Sequence, residues 1–298
     1  MLRIIVALAN AVLVSSMPIA GARAQQPAKP PAIETRKVPG TDNVYIFRNV
    51  NSQSMFIVTE EGVIVTDPVS YGRPTGGQQY LDEIRKVTDK PIKYVIYSRH
   101  HFDHIAGGQV FKDAGATFLA HWRAKERLEQ LKDPHTVIPD ETVPSRGRTI
   151  RLGSTVLELS YHGLNHSDST LVMRLPKDRI IFVVDAISVG SFPGRGMLDF
   201  YPLETEDFLK KVLEMDWERL IPGHPGPGGR LGTKQDVENL LELLQTASAE
   251  IRTLAREGKC WLPTENEYEM PKYEKWPGYA NGLPFLARRY CGFWGRGI

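Results

Sequence analysis

Three histidines and one aspartate lie within five residues of one another in the segment His100-His101-Phe102-Asp103-His104. The segment follows the apolar stretch from Tyr94 to Tyr97, so its side chains are expected at the mouth of a strand. Imidazoles and carboxylates are ligands that zinc and similar ions take in proteins. Because such groups are costly to bury without partners, the segment indicates a metal site rather than packed core histidines.

Three further candidate ligands lie at the ends of predicted strands. His166 and His224 each follow a predicted strand, and Asp185 ends the apolar run from Ile180 to Val184. A single histidine of this kind is usually a surface or loop residue. A carboxylate at the edge of a buried run, however, needs a cation to offset its burial. Together with the His100–His104 segment, these three residues predict a metal centre built from several strand ends.

The order of these residues resembles the metallo-β-lactamase superfamily, whose signature is H-x-H-x-D-H, then a His, then an Asp or Cys, then a His. The resemblance covers about residues 38 to 257. It implies an α+β fold, the αββα sandwich of two mixed β-sheets flanked by helices, with one or two metal ions at the edge of the facing sheets. Zn²⁺ is the implied cofactor, and manganese or iron are alternatives for similar ligands.

The resemblance also implies the roles of individual residues. Asp67 matches a buried acid that supports the motif loop through a hydrogen bond. The implied ligands of the first metal are His101, His166 and Asp185. The implied ligands of the second metal are Asp103, His104, His224 and the shared Asp185.

Arg99 stands where the signature has its leading histidine. An arginine guanidinium stays protonated and cannot bind a metal ion. His100 is adjacent but out of phase, since neighbouring side chains of an extended segment point in opposite directions. The sequence therefore predicts an atypical metal centre.

Three interpretations of Arg99 stay open. In the first, one metal ion binds the implied second site of Asp103, His104, His224 and Asp185. Arg99 then binds an anionic group of the substrate or the developing oxyanion. In the second, His100 or water completes a two-metal centre. In the third, catalysis is lost and the fold serves as a metal- or ligand-binding protein.

The predicted function is metal-dependent hydrolysis of an ester, lactone, thioester or amide, with a β-lactam as a less favoured substrate. Metal-activated water would attack the acyl carbon, and the metal or Arg99 would polarise the carbonyl. Asp103 would accept the proton of the water if it is not fully engaged as a metal ligand. Phe192, Phe200 and Tyr201 are predicted to line an apolar substrate pocket, although packing at the rim is an equal alternative.

The chain has 298 residues, 41% of them apolar, and a formal net charge of +2. It is therefore globular, and it lacks the basic field that would favour nucleic acid. Residues 1–24 are predicted to be a secretory signal, because an apolar run from Ile4 to Val14 precedes the Ala22-Arg23-Ala24 cleavage pattern. The expected location is periplasmic or secreted, without membrane attachment after cleavage. The expected partner is a small-molecule substrate, and a homo-oligomer is possible.

The rest of the chain is predicted to have three parts. Residues 25–37 form a Pro-rich linker, residues 38–258 form the domain that resembles the metallo-β-lactamase superfamily, and residues 259–298 form an aromatic-rich extension with little periodicity. Cys260 and Cys291 are predicted to form a disulfide in an oxidising compartment, with two buried free thiols as the alternative. The extension either wraps the core or, alternatively, covers the active-site rim or makes a dimer contact.

Overall fold

A computed structural model describes residues 32–260 and 266–298. The predicted signal over 1–24 lies outside the described residues, as does the linker up to residue 31. In the described part, no helix combines the length and apolar character needed to cross a bilayer.

Within residues 32–260 and 266–298, twelve strands form two mixed sheets. In the seven-stranded sheet, strands pair in chain order, with antiparallel pairs from β1 to β4 and parallel pairs from β4 to β7. Its strands are β1 (Ile33–Lys37), β2 (Val44–Asn49), β3 (Ser52–Val58), β4 (Val63–Thr66), β5 (Ile92–Ile96), β6 (Thr117–His121) and β7 (Glu141–Val143). The five-stranded sheet has the order β12-β11-β10-β9-β8, in which only β11 and β12 are parallel. Its strands are β8 (Arg148–Leu152), β9 (Thr155–Ser160), β10 (Val172–Leu175), β11 (Ile180–Val183) and β12 (Arg219–Pro222).

Helices cover the outer faces of both sheets. Those beside the first sheet are α1 (Gly76–Val87), α2 (Phe102–Ile105), α3 (Gln109–Asp113) and α4 (Trp122–Leu131). Those beside the second sheet are α5 (Pro202–Glu214), α6 (Lys234–Arg256) and α7 (Tyr279–Arg296). Short 3₁₀ helices span Arg195–Asp199, Pro227–Gly229 and Pro271–Tyr273.

Alternation along the strands produces the layers. In β11, Ile180 and Phe182 pack in the core between the sheets, whereas Ile181 and Val183 pack against the helices. A strand with apolar residues on both faces is typical of a sheet covered on both sides. The predicted αββα sandwich is confirmed.

The predicted linker is wrong at its C-terminal end, because Ile33–Lys37 forms β1 and pairs antiparallel with β2. The sequence IETRK has no alternation of apolar residues that would signal a strand. The strand is held by its ladder to β2 and by an ion pair between Arg48 and Glu34 at 2.7 Å.

The extension over 259–298 is more regular than its sequence indicates, because it contains the 18-residue helix α7. Buried residues recur at helical spacing at Leu283, Leu286, Ala287 and Tyr290. Pro284 and several glycines obscure this pattern, since both residue types disfavour helix interiors. These side chains share one core with α5, α6 and the second sheet, so the extension belongs to the outer helical layer.

Candidate metal centre

The candidate ligands converge at one edge of the two sheets. Asp103 and His104 lie in α2, which follows β5, and Asp185 and His224 follow β11 and β12. Because β11 and β12 are parallel, their carboxyl ends lie at the same edge. His166 comes from the loop between β9 and β10. The fold thus brings together side chains that are far apart in the sequence.

Asp103, His104, Asp185 and His224 form a four-residue group with metal-site spacing. His104 Nε2 lies 3.7 Å from Asp103 Oδ2, 3.5 Å from Asp185 Oδ1 and 3.4 Å from His224 Nε2. His224 Nε2 lies 3.2 Å from Asp185 Oδ1. A tetrahedral ion with bonds of about 2.1 Å has ligands about 3.4 Å apart. The donor set and its spacing therefore fit one divalent ion.

Asp185 occupies the middle of the centre and has a left-handed backbone with φ of 60°. Such a conformation is uncommon for a residue other than glycine and is typical of functional sites. Burial alone would raise the pKa of the Asp185 carboxyl, but the charge of Arg99 and the neighbouring imidazoles hold it well below its usual range. Asp185 is therefore an anion in the folded protein.

Arg99 is fully buried and contacts both carboxylates. Its Nη2 donates to Asp103 Oδ1 at 3.2 Å and to Asp185 Oδ2. The other oxygen of each carboxylate faces the imidazoles of the four-residue group. Arg99 does not line the cavity above the centre. Its position differs from the predicted contact with an anionic substrate group, because the two carboxylates draw the guanidinium inward.

Asp67 supports the motif loop from below. It is fully buried after β4, and its Oδ1 accepts a hydrogen bond from the backbone N–H of Ser98 at 2.8 Å. Burial raises the pKa of Asp67 to about 6, against the opposing effect of the Ser98 hydrogen bond. Its Oδ2 lies 3.9 Å from His104 Nδ1, so Asp67 also stands behind a candidate ligand.

His101 and His166 form a second group with Asp199. The two imidazole centroids are 4.9 Å apart, and His166 Nε2 lies 3.6 Å from Asp185 Oδ2. Asp199 was not predicted from the sequence, because it is exposed on a short 3₁₀ helix outside the signature. Its only sequence signal is an acid close to the predicted pocket residue Phe200.

His100 lies outside both groups. Its Nδ1 is 2.8 Å from Ser169 Oγ and 3.2 Å from Ser167 Oγ. This position follows from the opposite directions of neighbouring side chains, which leave His101 facing the centre. Because Nδ1 of His100 contacts these two hydroxyls, its position does not support the predicted role of His100 as an extra ligand.

A cavity of about 1010 Å³ opens above the centre. His101, Asp103 and Asp185 contribute polar groups to the lining of this cavity. Its apolar lining includes Ile187, Val189, Phe192, Met197, Phe200 and Leu244. Tyr201 is not among the lining residues, which differs from the prediction, because it sits at the start of α5. Leu131 and Leu198 also line the cavity and are 57% and 50% exposed.

The metallo-β-lactamase superfamily model matches residues 48–224. The match covers more than half of the chain and includes all candidate ligands from Arg99's segment to His224. The chain belongs to the metallo-β-lactamase superfamily.

Two of the relatives found by sequence comparison share about a quarter of their residues or fewer with this chain. The 2,4-dinitroanisole O-demethylase subunit alpha of Nocardioides sp. (strain JS1661) is 23% identical over 201 residues, which cover 65% of this chain and 58% of that protein. The chain thus spans less than two thirds of that relative's length. Metallo-beta-lactamase type 2 of Elizabethkingia meningoseptica is 23% identical over 199 residues, covering 61% of this chain and 76% of the relative.

Solved structures support the fold. A metallo-beta-lactamase from Pontibacter korlensis superposes with a TM-score of 0.63 at 19% identity, covering 72% of this chain and 99% of that one. DIM-1 metallo-beta-lactamase superposes with a TM-score of 0.61 at 20% identity, covering 73% and 99%. At this identity the likeness concerns the fold alone.

The superfamily match ends at residue 224, before α6 and α7. In this chain α7 and Pro277 just before it contact the loop over 191–200, which lines the cavity. The backbone N–H of Phe192 donates to the Pro277 carbonyl at 2.9 Å, and Arg289 Nε donates to the Phe200 carbonyl at 2.5 Å. A disulfide between Cys260 and Cys291 ties α7 to the segment that follows α6. The extension therefore supports the loop over 191–200 that lines the cavity.

Proposed function

We propose that the protein is an exported hydrolase that uses a tightly bound divalent ion, zinc by default, to cleave an ester, lactone, thioester or amide. The observation that carries the proposal is the four-residue group, whose donor atoms all lie within 4.8 Å of one another beside an open cavity. Asp103, His104, Asp185 and His224 would hold the ion. A divalent ion bound there supplies a Lewis acid that activates water and polarises a substrate carbonyl.

Asp103 is the proposed proton acceptor. Its side chain is 49% exposed, lines the cavity and is fixed through Oδ1 by Arg99. A carboxylate held at the edge of a substrate cavity is placed to take a proton from an attacking water. Arg99 acts as a positioning residue, because it orients Asp103 and Asp185 without reaching the substrate.

The cavity favours a small-molecule substrate with an apolar group. The cavity wall includes aliphatic and aromatic side chains, and the exposed Leu131 and Leu198 add to that apolar surface. Burial of apolar area contributes about 25 cal/mol per Å² to binding. An acyl chain or ring lying along this wall would leave the scissile carbonyl over the centre.

Export to the periplasm or the medium is part of the proposal. It is supported by the predicted signal over 1–24 and by the disulfide, which persists in oxidising compartments. N-terminal sequencing of protein from the periplasmic fraction should start at Gln25.

The function is tested with zinc-loaded protein on p-nitrophenyl esters, γ-lactones, thioesters and a chromogenic β-lactam. We expect turnover of at least one acyl class, with kcat/KM rising with acyl chain length. His224→Ala should abolish turnover, whereas the exposed His135→Ala should leave it unchanged. A protein that holds zinc but turns over none of the substrates would instead be a metal- or ligand-binding member of the fold.

A further inference from the structure

The second group of candidate ligands contains an acid from an unexpected element. Arg99 removes one histidine from the signature and leaves His101 and His166 as a pair. The structure brings a donor oxygen of Asp199 within 4.8 Å of the donor nitrogens of both histidines. Two imidazoles and one carboxylate are a common ligand set for divalent ions. Asp199 therefore stands where a third ligand is needed.

The 3₁₀ helix that carries Asp199 lies directly against His166. A Cβ atom added to Gly196 would lie 2.8 Å from His166 Cε1, which is closer than such atoms normally approach. Only glycine allows the helix backbone to come this near the imidazole ring. The approach places Asp199, at the other end of the same helix, beside the histidine pair.

The outer helix α7 holds this segment in place. Phe200, next to Asp199, accepts a hydrogen bond from Arg289 Nε at 2.5 Å, and its ring lies 6.1 Å from that of Tyr290. Both contacts come from the part of the chain beyond the superfamily match. The 3₁₀ helix that carries Asp199 lies within the superfamily match, and two residues beyond that match contact Phe200 beside it.

Formal charge supports the same assignment. Arg99 adds one positive charge to the centre relative to a neutral histidine, and Asp199 adds one negative charge. The two changes cancel, so a second divalent ion would meet the same net charge as in a centre with a histidine at position 99 and no acid at position 199.

We propose that His101, His166 and Asp199 bind a second divalent ion, more weakly than the four-residue group binds the first. The inference rests on the proposed metal-dependent function. The weaker affinity follows from the smaller number of protein ligands, three rather than four, and from the Arg99 charge nearby.

Zinc stoichiometry tests the proposal without using activity. Metal-free protein is equilibrated at a series of buffered free Zn²⁺ concentrations, and bound zinc per chain is measured by mass spectrometry. The wild type should bind one ion tightly and a second at higher free zinc. Asp199→Asn should retain the first ion and raise the dissociation constant of the second ion at least about tenfold. Asp207→Asn, which removes an exposed acid of α5, should behave as the wild type.

Two outcomes would overturn the assignment: a wild type that saturates at one ion, or an Asp199→Asn variant that binds the second ion as tightly as the wild type. His224→Ala separates this failure from failure of the proposed function. It should lose the tight ion and keep the weak one, whereas unchanged tight binding would contradict the four-residue site itself. Co²⁺ titration gives an independent readout, since its visible absorption should change with the second equivalent in the wild type and not in Asp199→Asn.

Discussion

Arg99 determines the electrostatics of the centre through its contacts with Asp103 and Asp185. One oxygen of each carboxylate binds the guanidinium, and the other faces His104 or His224. The arginine therefore supplies a fixed charge on one side of the carboxylates and leaves a set of metal donors on the other. Because the Arg99 side chain is buried and that of Asp185 is nearly so, salt screens this ion pair much less than it would screen a surface pair.

Arg99→Met tests this role through stability. The substitution leaves Asp103 and Asp185 without their buried cation, and breaking such a pair costs about 3 kcal/mol or more. Urea denaturation should show this loss in metal-free protein and a smaller loss in zinc-loaded protein, because the ion replaces part of the missing charge. Equal losses in both forms would contradict the proposed exchange of charge between arginine and ion.

Arg99→His restores the leading histidine of the superfamily signature. We expect the second zinc to bind about tenfold more tightly or better, because a cation becomes a ligand. Zinc titration of the metal-free variant measures the change. An unchanged second dissociation constant would indicate that residue 99 is not aligned with the signature as we infer.

At the scale of the elements, α7 supports the loop over 191–200 that lines the cavity. Gly282→Ala provides a test in which two effects have opposite signs. Alanine favours a helix over glycine by about 1 kcal/mol, but the added Cβ would lie 2.0 Å from the Pro193 carbonyl oxygen. We therefore expect lower stability in urea and lower kcat/KM. Gly292→Ala in the same helix is the control, since its Cβ meets nothing closer than 3.8 Å, and it should be neutral or stabilising.

The start of α6 provides a pH-dependent test. Asp236 and Thr233 form a capping box, and Arg230 donates to Asp236 Oδ2 at 2.8 Å. Burial opposes these bonds, but they hold the pKa of Asp236 below its usual value. Its contribution to stability is therefore complete above the unfolded pKa of about 3.9 and is lost as the pH falls through the lower folded value.

Asp236→Asn should therefore cost about 1 kcal/mol at neutral pH. The difference from the wild type should shrink as the pH is lowered below about 4, as measured by urea denaturation across pH. Glu238→Gln, an exposed change on the same helix, should show no such trend. A difference that stays constant to low pH would contradict the role of the Asp236 charge.

For the whole molecule, the disulfide closes a separation of 31 residues between α7 and the segment that follows α6. In the chain-entropy model a loop of this size contributes about 3 to 4 kcal/mol. The double variant Cys260→Ala with Cys291→Ala should lower the free energy of unfolding by about this amount. Adding reductant should lower the wild-type midpoint towards that of the variant and leave the variant unaffected. A variant as stable as the wild type would show that α7 is held by packing alone.

The order of strands and helices in the sequence predicts mixed sheets flanked by helices, and the resemblance to the superfamily implies the sandwich and the ligand set. His166, Asp185 and His224 each follow a predicted strand, and the strand ends meet at one edge. Asp199 lies outside any periodic segment, so only the folded loop shows its place beside His166. The direction of Arg99 likewise depends on two carboxylates distant in sequence. In α7, Pro284 hides a helix that tertiary packing stabilises.

The central claim is that one divalent ion binds Asp103, His104, Asp185 and His224 while Arg99 keeps its contact with Asp185. Anomalous diffraction at the zinc edge, from crystals of the full mature protein grown with about one equivalent of zinc, tests it most directly. We predict one strong anomalous peak among these four side chains, with the Arg99 guanidinium still bound to Asp185. A peak elsewhere, or a zinc ion that has displaced Arg99 from Asp185, would contradict the account.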